Sequence, residues 1–154
     1  NVSKEEKAKK LSDIALKTVD IKGIGRYTLG SKRKELSPDE KKKYDEIFQK
    51  YFLKSFTSRL TDYSDPKIEV LSAEVINEKY TIVKTLLLAT SKKPEVKIDW
   101  RIYTKDPNKP LIRDLIVEGL KLARTQKEEF ASILSSNNND INILFSKLEE
   151  FINQ

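Results

Sequence analysis

At Asp65-Pro66 the hydrophobic period of the chain changes from that of a helix to that of a strand. No other feature narrows the possible folds as much. Upstream, Tyr44, Ile47, Phe48, Tyr51, Phe52, Phe56, Leu60 and Tyr63 recur at steps of three and four, one continuous aromatic face. The helix carrying them starts at Ser37-Pro38-Asp39-Glu40: an N-cap serine, proline at the first position, acids in the first turn and a box glutamate. Its roughly 24 residues would span about 36 Å at 1.5 Å each. Downstream, IEVLSAEVI, KYTIVKTLLLATS, EVKIDWRIYTK and LIRDLIVEG read as four strands. The intervals Asn77-Glu78, Ser91 to Pro94 and Asp106 to Pro110 are too short for crossovers, so the strands pair antiparallel as a meander.

The flanks are helical. Ser3 and Glu6 form a capping box opening a lysine-rich helix to about Val19, with Ala8, Leu11, Ile14 and Ala15 on one stripe. Val19 to Gly30 reads as a short helical turn or a loop broken by glycines. After the strands, Leu120 to Leu134 is a helix, Ser135 to Asn139 a polar break, and Asp140 to Phe151 a last helix with Ile141, Leu144, Phe145 and Leu148 inward. Helices, sheet, helices: the expectation is a single α+β domain over 1–154, with helices covering an antiparallel sheet of four strands or slightly more.

Composition removes much chemistry. The 154 residues suffice for one domain with a sizeable core. No run approaches the eighteen or so apolar residues of a membrane span. The polar opening from Asn1 has no leader pattern, so a cytosolic chain or an already processed exported one is expected. Cysteine and histidine are both absent. That excludes disulfides, thiolate nucleophiles and the usual nitrogen and sulfur metal ligands, and removes the commonest general base. The acids are scattered. Asp99 with Arg101, and Asp114 with Arg113, read as cross-strand charge pairs, and no Asp or Glu cluster has ligand spacing. Gly23, Gly25 and Gly30 before Ser31-Lys32 have the wrong order for a phosphate loop, which needs lysine before the hydroxyl and a strand in front. Neither a metal nor a cofactor is expected.

The net charge of +6 is carried mostly by lysine, in a chain short of arginine, alanine and glycine, and reads as compositional bias. The basic runs at Lys7–Lys10, Ser31–Lys34 and Lys41–Lys43 are separate from the aromatic face, whereas nucleic-acid modules interleave the two. More telling is KYTIVKTLLLATS, with Ile82, Leu86 and Leu88 on one strand face and Val83, Leu87 and Ala89 on the other. A sheet wetted on one side alternates more cleanly. Either both faces are covered or one lines a cavity.

Several segments in order resemble the MlaC family, the toluene-tolerance Ttg2 auxiliary proteins. They are Val19-Asp20 with Arg26-Tyr27-Thr28-Leu29-Gly30, then LSPDEKKKYDEIFQKYF (Leu36 to Phe52), Val83-Lys84-Thr85, KIDWRIY (Lys97 to Tyr103), Val117-Glu118-Gly119 and Phe130. Three departures bear on the mouth of the fold. Asn108-Lys109-Pro110 stands where the family has Gly-Trp, Gln126 where it often has tyrosine, and Arg113 where it has an aromatic.

The resemblance implies a periplasmic phospholipid carrier, not an enzyme, whose helices wrap a curved sheet around a deep apolar pocket. Phospholipid is its cargo. Its partners would be an inner-membrane ABC transporter complex of the MCE type and an outer-membrane lipoprotein complex, with a role in outer-membrane lipid asymmetry. No nucleic acid is expected, and the carrier would be a monomer. On the helices the pocket would be lined by Ile24, Tyr27, Phe48, Tyr51, Phe52 and Phe56. On the strands it would be lined by Val83, Leu87, Ile98, Trp100, Ile102, Leu115 and Val117. Two tails would demand volume at the upper end of ordinary ligand pockets, so the empty form is expected to be less stable or partly collapsed. The alternative is a basic α+β adaptor or nucleic-acid-binding module with an ordinary packed core. A cone-shaped α+β enzyme is a third reading, disfavoured by the lack of histidine.

Overall fold

The computed structural model describes residues 3–61 and 67–154, without the side chain of Leu60. Tyr63 and the Asp65-Pro66 boundary lie outside the described residues. In chain order the elements are α1 (Lys4–Thr18), α2 (Ile21–Leu29), a 3-10 turn (Gly30–Glu35) and α3 (Pro38–Leu60). Then come β1 (Ile68–Val75), β2 (Tyr80–Leu87), β3 (Val96–Tyr103), β4 (Leu111–Val117), β5 (Leu120–Lys121), α4 (Leu122–Ser135) and α5 (Ile141–Ile152). The sheet is an open antiparallel meander in the order β1-β2-β3-β4-β5, so the fold is α+β as the sequence implies.

The start of α3 carries the full reciprocal capping box. Ser37 Oγ accepts from Glu40 N at 3.1 Å, and Glu40 Oε1 accepts from Ser37 N at 2.9 Å. Three local expectations are corrected. Val19 to Gly30 contains a regular helix rather than a broken loop: Asp20 caps α2 by accepting from Gly23 N at 3.1 Å. Gly25 is there for close approach, since a Cβ at that position would lie 2.6 Å from the Phe48 ring of α3. Leu120 and Lys121 are not the start of the helix. Glu118 and Gly119, at φ 51° and 81°, form a two-residue hairpin that folds them back on β4 as β5. On α1, Ala15 is buried and Ala8 and Leu11 half-buried, but Ile14 points to solvent.

The main core belongs to the helical layer. Tyr44 and Phe48 of α3 meet Phe130 and Leu134 of α4 and Ile141, Leu144, Phe145 and Leu148 of α5, with Ile21 and Leu29 of α2 closing one side. Phe48 stacks on Tyr44 (5.8 Å) and meets Phe130 edge-on (6.5 Å). Tyr44 donates to or accepts from Thr28 Oγ1 at 2.7 Å, which satisfies both buried hydroxyls. From the sheet, Ile112 of β4 packs against this core. Helix-to-sheet packing runs mainly through β4, against α2 and α4.

Candidate functional site

The strand register gives the two apolar faces of β2 different neighbours: Ile82 and Leu86 lie opposite Arg101 and Lys97, while the other face meets apolar residues. Val83 lies opposite Trp100, Thr85 opposite Ile98, Leu87 opposite Val96 and Thr81 opposite Ile102. Across the next ladder, Ile98 faces Val117, Trp100 faces Leu115 and Ile102 faces Ile112. On the outer side, Ile68, Val70, Ala73 and Val75 of β1 sit opposite Leu87, Thr85, Val83 and Thr81. Since opposed residues share a face, one side of the sheet is lined from edge to edge by aliphatic side chains, Trp100 and two threonines. All seven strand residues singled out in the sequence (Val83, Leu87, Ile98, Trp100, Ile102, Leu115 and Val117) share it.

Two β-bulges make this face continuous. In β1 the register slips between Val70 and Ser72, so Leu71 is the extra residue. Strict alternation would have put Ser72 and Glu74 beside Val70; the bulge substitutes Ala73 and Val75. In β4 the slip around Arg113 brings Ile112, and not Arg113, opposite Ile102. Each bulge turns a polar position away. Ile68, Val70, Ala73, Val75 and Ile112 were missed in the sequence for this reason, because an irregular period hides them.

The polar atoms on this face are internally satisfied. Trp100 Nε1 donates to Thr85 Oγ1 at 2.9 Å, and Thr85 Oγ1 donates to the carbonyl of Ile98 at 2.7 Å. Thr81 and Thr104 hydroxyls pair at 2.9 Å. With the Trp100 and Thr85 donors committed and only one hydroxyl hydrogen of the Thr81–Thr104 pair left over, the surface has little to offer water. Most of it is nonetheless only half-covered, and its β1 margin is open: Val70 is 66% and Val75 73% exposed. Leu87 is buried at the inner end of β2.

The reverse face is mixed. Lys84 lies opposite Asp99 and Arg101 opposite Asp114, while Arg101 stacks over the Tyr80 ring at 4.1 Å. The expected Arg113–Asp114 pair is not formed. Arg113 Nε instead makes a 3.0 Å ion pair with Asp20 of α2, its N–H off the line of contact. Its guanidinium lies 4.2 Å from the Tyr103 ring centre and donates to Tyr80 Oη at 3.2 Å. Asp114 Oδ1 accepts from Leu115 N (2.8 Å) and Ala123 N (3.0 Å), so β4 supplies the cap that Lys121 cannot give α4. Glu118 Oε1 accepts from Lys97 N at 2.7 Å.

The helical residues divide. Phe48, 3% exposed, belongs to the closed core. Tyr51, Phe52, Phe56 and Ile24 are half-buried and pack at the core's margin, Phe52 stacked on Phe56 at 6.0 Å. Tyr51 Oη donates to Gln126 Oε1 at 2.9 Å, so the residue standing where the family often has tyrosine anchors this aromatic. Burial, helped by the nearby Glu129 charge, raises the Tyr51 hydroxyl above its ordinary pKa. Tyr27 is exposed, its ring 5.0 Å from Lys127 Nζ.

Two clefts of about 370 and 330 Å³ are formed, and both follow the seam between α2 and α3 with charged walls. Neither contains any of the anticipated lipid-lining residues. Among the described residues the apolar sheet face is only partly covered, most open along β1 and most buried at Leu87.

The MlaC protein family matches residues 1–150 of the sequence. Among solved structures, the chain is similar to a phospholipid-binding protein from Ralstonia solanacearum, determined in complex with a phospholipid. That likeness has a TM-score of 0.79 and 17% identity, over 98% of this chain and 85% of that one. No curated protein matches the sequence. At this identity the structural likeness speaks to the fold.

Proposed function

The chain belongs to the MlaC family, and on that footing we propose that it is a non-enzymatic phospholipid carrier whose acyl-chain surface is the apolar sheet face. The observation that carries this is the continuity of that face, from Val75 on the open edge strand through Val83 and Trp100 to Leu115. Two bulges keep charge off it, and the Ralstonia protein of the same fold was solved with a phospholipid bound. The half-buried aromatics Tyr51, Phe52 and Phe56 supply the opposing wall of a pocket that closes around the tails. Phe48 acts behind them, as core.

In this reading the 154 residues form one domain, working as a monomer in the periplasm. It moves lipid between an inner-membrane ABC transporter complex of the MCE type and an outer-membrane lipoprotein complex, and so maintains lipid asymmetry. The energetics suit a shuttle. Each buried methylene is worth about 0.8 kcal/mol relative to water, so two tails sum to more than about 20 kcal/mol. The lipid starts and ends in a bilayer, already out of water. The carrier needs only to match that environment, and loading and unloading then run near balance.

The test is native mass spectrometry of protein purified from a bacterial host without detergent, with solvent extraction of what accompanies it. Added mass of one phospholipid, released on denaturation, is expected. A clean unliganded mass with no uptake from liposomes would overturn the proposal in favour of an adaptor with a packed core.

A further inference from the structure

Two basic runs that looked merely solvated in the sequence are brought to one furrow by the fold. The 370 Å³ cleft is lined by Arg26 and Leu29 of α2, Arg33 of the 3-10 turn, and Lys41, Tyr44 and Asp45 of α3. The adjoining 330 Å³ cleft shares Asp45 and adds Lys22 of α2 and Lys42, Glu46 and Lys50 of α3. Six cations thus face two carboxylates, and this seam alone carries four of the chain's six net positive charges. The one carboxylate common to both clefts is already engaged, with Arg26 at 3.3 Å and Lys22 at 3.9 Å. Among the described residues, Arg33 and Lys41 have no ionic partner. Lys41 also sits near the N-terminal end of α3, where the helix dipole disfavours a cation. Like charges gathered in a concavity, against local preference, call for an anion from outside.

We propose that the α2–α3 furrow is a docking groove for an acidic segment of a partner polypeptide. Its shape selects that occupant. A single small anion would fill a fraction of two joined clefts, and a flat bilayer surface would meet the rims and not the walls. An extended chain with several carboxylates can follow the seam and meet Lys22, Arg26, Arg33 and Lys41 in turn. The groove contains none of the residues assigned to the acyl-chain surface, so docking and cargo can be tested apart.

The experiment uses the full chain and a fluorescent ten-residue Asp/Glu-rich peptide, with fluorescence anisotropy at rising salt. Binding is expected to weaken steeply between 50 and 300 mM salt as the Debye length shrinks, by about tenfold or more. Arg33→Glu with Lys41→Glu should weaken it at least tenfold, and Arg33→Gln with Lys41→Gln less. Lys9→Glu with Lys10→Glu, the same charge change on exposed positions of α1, should leave it within about twofold. Circular dichroism checks that each variant is folded, and native mass spectrometry checks its lipid. Equal loss in the α1 control would reduce the effect to net charge and overturn the groove. So would no peptide binding at 50 mM salt. Vesicles containing anionic lipid, bound tightly with the same Arg33/Lys41 dependence, or inorganic phosphate displacing the peptide at sub-millimolar concentration, would overturn the polypeptide assignment.

Discussion

A carboxylate at Val83 separates a cargo surface from an ordinary half-wet sheet. Val83 is central on the apolar face, opposite Trp100 on β3 and Ala73 on β1, and half-buried. In the unliganded protein Val83→Asp leaves its carboxylate in contact with water. The loss is then the partial burial of one valine and some β propensity, about 1–2 kcal/mol. Under a seated acyl chain the same carboxylate must be desolvated, and the nearby Trp100 Nε1 and Thr85 hydroxyl are already committed to each other and to Ile98. That penalty is several kcal/mol; even about 3 kcal/mol lowers lipid affinity more than a hundredfold. The readouts are urea denaturation and the lipid-bound fraction in native mass spectrometry after incubation with liposomes. Val75→Asp, at a position 73% exposed on the edge strand, should leave stability within about 0.5 kcal/mol and affect lipid less. A folded Val83→Asp protein retaining lipid at the wild-type level would refute the assignment of this face.

Three further outcomes follow from packing and charge. Gly25→Ala forces a methyl to within 2.6 Å of the Phe48 ring, so overpacking of about 1–3 kcal/mol should outweigh the helix-propensity gain of about 1 kcal/mol; Phe48→Leu in the same chain should recover part of the loss in denaturant titrations. Burial pushes the Tyr44 hydroxyl well above the ordinary value of 10.0, despite its bond to Thr28. The unfolded chain therefore ionises first. This contribution is intact below pH 10 and lost above it, by up to about 1.4 kcal/mol per unit. Comparison with Tyr44→Phe, which should lack that component of the slope, isolates it from lysine titration. Asp114→Ala removes the acceptor for Ala123 N and should cost about 0.5–2 kcal/mol, measured by thermal or chemical unfolding, with Asp114→Asn recovering most of it.

What could be read from the sequence depended on regular periods and complete local motifs. Ser37-Pro38-Asp39-Glu40 announced α3 because every atom of that cap is local, and the steps from Tyr44 to Phe56 announced its inner face. They could not separate Phe48, locked between α2 and α4, from Phe52 and Phe56 at the margin. Spacing gives a direction around the helix but not what stands opposite. Gly23 and Gly25 looked like breaks in Val19 to Gly30, although Gly25 marks the crossing of α2 over Phe48. The two residues of β5 are too few to show any period. The apolar sheet face was half legible: its centre followed from alternation along β2 and β3, while Ala73, Val75 and Ile112 lay beyond bulges that only the register reveals.

The arrangement of the core bears on how such a domain can stay folded while leaving an apolar sheet face partly uncovered. Had α3 and the sheet shared one interior, emptying the space between them would take away the core itself. Instead the deepest side chains close on one another within the helical layer, and much of the sheet's attachment is made by three consecutive residues of β4. Ile112 packs into the helical core, and its carbonyl accepts from Asp20 N at 2.9 Å. Arg113 meets the Asp20 carboxylate at 3.0 Å, and Asp114 caps α4 through Ala123 N at 3.0 Å. Those contacts are short-range, and most are polar and directional, so they hold β4 against the helices whether or not anything covers Val83 and Trp100. The strands beyond, β2 and β1, hang from β4 through ladder hydrogen bonds that are indifferent to what lies on either face. In the proposed carrier, cargo would then add stability to a sheet already held, as a protein that is empty for part of its cycle would require.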